Sequence, residues 1–123
     1  MPGGANGTLP GIIQSADAVP PPSGRHVCPE CAKPFRPVHT RQLFCSQQHK
    51  DTFHNRATAR GRVLTPMAIA ARITRGGSRG DIATGKLARR ESQRLIDQWA
   101  REDREAGRMD MVTYIAARSK IGY

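Results

Sequence analysis

Aromatic side chains and cysteines are both scarce in this chain of 123 residues. It has one tryptophan, two tyrosines and three phenylalanines, and only 37% of its residues are apolar. A chain of this size and composition can build one small core but not two ordinary ones. The three cysteines are an odd number, which argues against a disulfide framework and favours a reducing compartment. We therefore expect a cytoplasmic protein.

Long apolar runs are missing as well. The longest apolar stretch near the start of the chain is Gly11-Ile12-Ile13, and no basic segment precedes it. A membrane span needs about 20 mostly apolar residues, and a signal peptide needs a basic segment followed by an apolar one. We expect neither, and no membrane partner.

Acidic residues are few relative to basic ones, and the formal net charge is +10. The excess is uneven, since residues 25–62 hold eight Lys or Arg against two acidic residues and residues 63–90 hold six against one. Residues 91–123 balance six against six, as expected for a solvated helical surface. A positive charge concentrated in the middle of the chain favours an anionic partner such as nucleic acid.

Composition divides the chain into three regions. Residues 1–24 are rich in glycine and proline with few bulky side chains, so we expect a disordered tail. Residues 25–62 contain every cysteine and are predicted to form one module. Residues 63–123 are predicted to form a helical C-terminal region.

The spacing of the cysteines is typical of a metal-binding site. Cys28 and Cys31 form a C-x2-C pair, and Cys45 and His49 form a C-x3-H pair that begins after thirteen intervening residues. Thiolate and imidazole are the ligands of tetrahedral zinc, and two chelating pairs supply four of them. We predict one structural Zn²⁺ bound by these four residues. Its binding energy would compensate for the small core, so removing it should unfold residues 26–56.

The identity of the fourth ligand depends on the local turn. Ser46 has the character of an N-cap that starts a helix at Gln47, which would turn His49 back toward the metal. His39 on the preceding loop and His54 further along the helix are alternatives if the turn is looser.

Local signals predict a mainly α fold with a small β-hairpin. Phe35 and the pair Leu43-Phe44 suggest two short strands joined by a polar loop. The first helix should run to about Ala59 and stop at Gly61. Thr65-Pro66 has the form of a helix start and predicts a second, apolar and buried helix that ends at Gly76-Gly77.

Two further helices are predicted. The longer one covers residues 83–106 and ends at Gly107. Its helical stripe is formed by Leu87, Ala88, Glu91, Leu95, Ile96, Trp99 and Ala100. Asp110 would cap a short final helix. The loop Arg75-Gly76-Gly77-Ser78-Arg79-Gly80 could hold phosphate, but it lacks the pattern of a Walker loop, and a plain linker is the favoured interpretation.

The knuckle Cys28-Pro29-Glu30-Cys31, then Lys33-Pro34-Phe35, and Phe44-Cys45-Ser46 at a helix start resemble small bacterial treble-clef zinc fingers, which usually read C-P-x-C…F-C-S-x-x-C. The resemblance covers about residues 26–56 and departs at His49, where a cysteine is commoner. It implies a treble-clef-like finger followed by two to three helices. Some proteins with such fingers bind nucleic acid, and one bacterial group inhibits DNA gyrase through protein contact.

The basic residues of the module predict a surface that follows the phosphates of DNA or RNA. Sequence-specific base readout is not indicated, because no array of side chains at base-contacting spacing can be picked out. The predicted contact residues are Arg36, Arg41, Lys50, Arg56, Arg60 and Arg62. The chain would then be a nucleic-acid-associated regulatory factor.

A protein-interaction adaptor or inhibitor is the alternative. Residues 87–100, or a face formed by Met111, Tyr114 and Ile115, would then dock on a larger assembly such as a polymerase, a topoisomerase or phage machinery. An enzyme is not expected, because catalytic zinc keeps an open coordination position and four protein ligands would fill this one.

Overall fold

The computed structural model of the protein describes residues 26–122. Two strands, β1 (His26–Val27) and β2 (Pro34–Phe35), precede three helices, α1 (Gln47–Ile73), α2 (Ile82–Glu105) and α3 (Met111–Lys120). The predicted mainly α fold with a small β-hairpin is confirmed. The predicted disordered tail, residues 1–24, lies outside the described residues.

The hairpin encloses the C-x2-C pair. β1 and β2 are antiparallel, with His26 opposite Phe35, and these two rings meet edge to face at 5.8 Å between centroids. The predicted strand at Leu43-Phe44 is wrong. The side chain of Gln42 explains this, because it accepts a hydrogen bond from the Val38 N–H (2.8 Å) and donates one to the Phe44 carbonyl (2.7 Å). These backbone groups are thereby satisfied without a partner strand.

The first helix starts where predicted but ends much later. Ser46 Oγ accepts a hydrogen bond from the His49 N–H (3.2 Å), which confirms the predicted cap. α1 then continues for 27 residues through both Gly61 and Pro66, so the predicted stop and restart are wrong. An interior glycine costs about 1 kcal/mol relative to alanine and does not by itself end a helix. Pro66 removes one N–H donor, and an interior proline costs about 3 kcal/mol or more, so the turns on either side of it must outweigh this cost for α1 to continue.

The apolar part of α1 is less buried than its composition suggests. Ile69 is 54% exposed and Ile73 is 68% exposed, so the prediction of a buried apolar helix is wrong. A continuous helix presents side chains all around its axis, and a single neighbouring helix can cover only one face.

The described chain forms two compact units: residues 26–50 with residues 103–122, and residues 51–102. In the second unit, α1 and α2 run side by side. The Arg60 guanidinium lies 3.6 Å from the Glu102 carboxylate and 5.6 Å from the centre of the Trp99 ring. Trp99 therefore contacts α1 through a cation–π interaction with Arg60.

At the other end of this helix pair, a glycine on α2 allows a close approach to the turn after α1. A Cβ on Gly85 would lie 2.7 Å from the Thr74 Cβ and 2.9 Å from the Gly77 Cα. Only a residue without a side chain permits this approach between α2 and the turn that follows α1.

The packed face of α2 differs in part from the predicted stripe. Ala88 and Ser92 are buried, whereas Leu87 is 49% and Ile96 is 48% exposed. Ser92 can be buried because its hydroxyl donates to the Ala88 carbonyl at 2.6 Å. Within residues 26–122, each helix is too short or too polar to cross a membrane.

The first unit is completed by the chain after α2. Gly107, at φ 74°, ends α2 as predicted: its N–H donates to the Arg104 carbonyl (3.1 Å) while that of Arg108 donates to the Asp103 carbonyl (2.9 Å). Asp110 caps α3 as predicted, through its bond with the Thr113 N–H (2.9 Å).

The predicted apolar face of α3 contributes one residue to the core. Tyr114 is 5% exposed, whereas Met111 is 42% and Ile115 is 47% exposed. The face is therefore divided between the interior of the first unit and its surface.

Candidate metal centre

The hairpin turn positions the first two cysteines. The Ala32 N–H donates to the Cys28 carbonyl (2.8 Å) and the Cys28 N–H to the Lys33 carbonyl (3.0 Å), which closes a tight turn. Ala32 adopts a left-handed backbone at φ 59° to complete it. Cys28 is fully buried and Cys31 half-buried, so the turn presents one sulfur from inside and one from the edge.

The start of α1 positions the other two donors. Cys45 directly precedes the Ser46 cap, and His49 lies in the first helical turn. Cys45 Sγ lies 3.1 Å from His49 Nδ1, so Nδ1 is the ring nitrogen that faces the sulfurs. The cap thus fixes the C-x3-H pair, as the sequence predicted.

The two halves meet at distances that suit a tetrahedral ion. Cys31 Sγ lies 3.9 Å from Cys45 Sγ, Cys28 Sγ lies 3.8 Å from His49 Nδ1, and all four donor atoms lie within 4.8 Å of one another. Zn–S bonds of about 2.3 Å and Zn–N bonds of about 2.0 Å in a tetrahedron require separations of about 3.5 to 3.8 Å. The cluster of Cys28, Cys31, Cys45 and His49 can therefore hold a metal ion.

The pKa values of Cys28 and Cys31 are shifted in opposite directions. Burial tends to raise the pKa of Cys28, but hydrogen bonds from the backbones of Cys45, Cys31 and Glu30, and from the His49 side chain, lower it to about 7. Two of these backbone donors, Cys31 and Glu30, belong to the knuckle itself, and Cys45 belongs to the other half of the cluster.

Cys31 is shifted the other way. Burial and the neighbouring sulfurs raise its pKa to about 11, although the Lys33 backbone opposes this. Adjacent thiolates repel one another, so a bound cation is the group that would allow all the sulfurs to act as thiolate ligands.

The alternative fourth ligands lie elsewhere. Within residues 26–122, the group of Cys and His donors close enough to share an ion includes His49 but neither His39 nor His54. Both of these imidazoles are exposed, and that of His54 meets the Phe53 ring edge to face at 5.6 Å.

Residues that sequence reasoning missed support the centre from a distance along the chain. The Pro29 carbonyl, within the knuckle, accepts a hydrogen bond from the Met109 N–H at 3.1 Å. Next to it, Asp103 is 4% exposed and pairs with Arg108 Nε at 3.0 Å. The spacing of Asp103 and Arg108 around Gly107 is a local signal, but the contact with Pro29 spans 80 residues of sequence and no local pattern encodes it.

The predicted nucleic-acid residues divide between the two units. The first unit contains Arg36, Arg41 and Lys50, and the second contains Arg56, Arg60 and Arg62. Arg36, Lys50 and Arg62 are exposed, and within the described residues none of them forms an ion pair. The side chain of Arg60 is only 15% exposed, because it packs on Trp99 and pairs with Glu102.

Comparison of the chain with protein-family models, with curated proteins and with solved structures finds no match. The geometry of the metal cluster is therefore the observation on which a functional assignment depends.

Proposed function

We propose that the protein is a small zinc-finger protein that binds the phosphate backbone of nucleic acid through a basic surface. The single observation that carries the proposal is the cluster of three sulfurs and one imidazole nitrogen within 4.8 Å of one another. Thiolate-rich sets of this kind favour Zn²⁺ over the oxygen-preferring Mg²⁺ and Ca²⁺.

We assign the ion a structural role. A Cys3His set fills the four positions of tetrahedral zinc and leaves none for a substrate or an activated water. The ion would join the hairpin turn at Cys28 and Cys31 to the start of α1 at Cys45 and His49. The protein is accordingly proposed to bind a partner rather than to catalyse a reaction.

The unpaired basic residues support a nucleic-acid partner. Arg36, Lys50 and Arg62 hold exposed charges that no described carboxylate neutralises. Such charges favour binding to phosphate, because their contact with the nucleic-acid backbone releases counterions. DNA and RNA both offer these phosphates.

The test is a salt titration of nucleic-acid binding with a triple variant, Arg36→Ala, Lys50→Ala and Arg62→Ala. Binding of a mixed-sequence oligonucleotide is measured by fluorescence anisotropy at several salt concentrations. The slope of log K against log salt is negative, and each lost phosphate contact reduces its magnitude by roughly 1, so we expect the magnitude to fall by roughly 3. Arg60 is left intact because its removal would disturb the contact with Trp99.

The matched control removes three exposed charges elsewhere, by Arg101→Ala, Arg104→Ala and Lys120→Ala. Its slope and affinity should stay close to those of the wild type. Equal losses in the two triple variants, or no binding by the wild type, would show that Arg36, Lys50 and Arg62 do not bind nucleic acid.

Exposed apolar side chains favour a second candidate, a protein-interaction adaptor. Ile69 and Ile73 on α1 and Val112 on α3 are 54%, 68% and 82% exposed. Docking through such groups depends little on salt, whereas phosphate contacts weaken by orders of magnitude. Partner capture that persists at high salt and after nuclease treatment would favour the adaptor.

A further inference from the structure

An open cleft lies where α1 passes into α2, entirely within residues 51–102. Its volume is about 1020 Å³. Four arginines line it, together with small and apolar residues, and they come from the end of α1, the following turn and the second turn of α2. The arginines are Arg72, Arg75, Arg79 and Arg89.

The charge of this cleft is not compensated. Within residues 26–122, none of the four guanidinium groups forms an ion pair. The acidic residues nearest in sequence are Asp81 and Glu91. Both Asp81 oxygens are engaged by Thr84, from the N–H at 3.0 Å and the hydroxyl at 2.8 Å. The Glu91 carboxylate pairs with the Arg94 guanidinium at 2.9 Å. Four uncompensated arginines around one cleft repel one another unless an anion is bound.

The backbone holds one of these arginines in an unusual conformation. The Arg75 N–H donates to the Arg72 carbonyl (3.2 Å), and the Gly76 N–H donates to the Ala71 carbonyl (2.8 Å). This is a Schellman ending in which Arg75 takes the left-handed position, at φ 51°, that glycine usually occupies. An arginine at this position carries a backbone strain that glycine would avoid, which supports a role for its side chain.

The next residue makes room for another arginine. A Cβ on Gly76 would lie 3.1 Å from the Arg89 Cδ and 3.7 Å from its Nε. The Arg89 stem therefore lies against the bare backbone of the turn. This contact places the α2 guanidinium beside the arginines of the turn.

We propose that this four-arginine cleft binds a ligand with two or more adjacent phosphate groups. Guanidinium groups bind phosphate oxygens through paired N–H donors, and several around one cleft suit a multiply charged phosphate chain better than a single anion. The phosphates can belong to a nucleic-acid strand or to a free polyphosphate, since both present the same oxygens. The cleft contains none of the residues Arg36, Lys50 and Arg62, so either proposal can fail without the other.

The test uses the full-length protein and a double variant, Arg72→Ala with Arg89→Ala. Both positions are helical, where alanine is well tolerated. Binding of inorganic tripolyphosphate is measured by isothermal titration calorimetry at low salt. Binding of a mixed-sequence oligonucleotide is measured in parallel. Loss of two charge-assisted contacts should weaken binding by at least roughly tenfold.

The matched control is Arg90→Ala with Arg101→Ala, which removes the same charge from α2 outside the cleft. It should bind within roughly twofold of the wild type. If only the cleft variant loses affinity for tripolyphosphate, the result supports the site and shows that a free polyphosphate can occupy it. A loss with the oligonucleotide alone supports it and assigns the phosphates to a nucleic-acid strand. Equal losses in both variants, or none in either, overturn the proposal.

Discussion

The imidazole of His49 is the donor that distinguishes this cluster from a set of cysteines alone, and its role can be tested by substitution. His49→Ala removes one of four ligands, so zinc affinity should fall by more than the roughly 10- to 100-fold typical of losing a ligand's supporting partner. His49→Cys should retain binding, because zinc accepts four thiolates. Competition with a chromogenic chelator measures both affinities.

His54 offers the matched control for this experiment. It lies on the same helix and is exposed outside the cluster. His54→Ala should bind zinc as the wild type does. If His54→Ala bound zinc more weakly than His49→Ala, the fourth ligand would be His54 and the assignment to His49 would be wrong.

Asp81 determines a pH dependence at the start of α2. The Thr84 N–H and hydroxyl lower the pKa of Asp81 below its ordinary value of 3.8, because they stabilise the charged carboxylate. A folded-state pKa below the unfolded one stabilises the fold above the unfolded value. This contribution disappears as the pH falls through the folded value.

We therefore expect Asp81→Ala to be less stable than the wild type at pH 7, with a difference that shrinks as the pH falls below 3.8. Urea unfolding across this pH range measures it. Asp97→Ala, on the exposed side of the same helix, controls for the loss of a charge. A stability difference between Asp81→Ala and the wild type that stays constant or grows toward low pH would contradict the hydrogen bonds from Thr84 to Asp81.

Among the elements, the close approach at Gly85 should be the most sensitive point of the helix pair. Gly85→Ala places a Cβ 2.7 Å from the Thr74 Cβ, so the turn must shift, and we expect a loss of about 1–3 kcal/mol in the free energy of unfolding. Gly61→Ala has no such conflict, since the nearest atom would lie 3.9 Å away. This second change should stabilise the protein by about 0.5–1 kcal/mol.

Thermal and urea unfolding of both glycine variants give opposite signs if the packing is as described. Stabilisation by Gly85→Ala would show that the turn after α1 does not approach α2. Destabilisation by Gly61→Ala would mean that α1 is interrupted there after all.

The elements also show what sequence could predict. The Ser46 cap, the Gly107 ending and the Asp110 cap were predicted correctly, because each is determined by hydrogen bonds within a few residues. The stop at Gly61 was wrong, because its small local cost does not decide whether a long helix continues. The strand at Leu43-Phe44 was wrong because the Gln42 side chain satisfies the backbone there.

For the site, spacing predicted the four donors but not their setting. Cys28, Cys31, Cys45 and His49 form two local pairs, each fixed by its own turn or cap. The hydrogen bond from Met109 to Pro29 depends on how the chain returns to the knuckle, and local patterns carry no information about that return.

On the scale of the whole molecule, the four potential metal ligands and the helix pair belong to different compact units. Within the described residues, the large apolar side chains that the first unit buries are few: Phe44, Met109 and Tyr114. A core this small would depend on the free energy of metal binding, about 10 kcal/mol or more in structural zinc peptides. The helix pair of residues 51–102 contains none of the four ligands.

Hydrogen exchange measured by mass spectrometry, before and after removal of metal by a chelator, tests the structural role of the ion most directly. We predict that one zinc ion per chain is released. Because the unit that contains the four ligands is divided from the helix pair after residue 50, we expect the amides of residues 26–50, rather than all of 26–56, to lose protection, while those of residues 51–102 keep more of it. A protein that carries no zinc, or one whose residues 26–50 remain equally protected after zinc is removed, would contradict a structural metal centre.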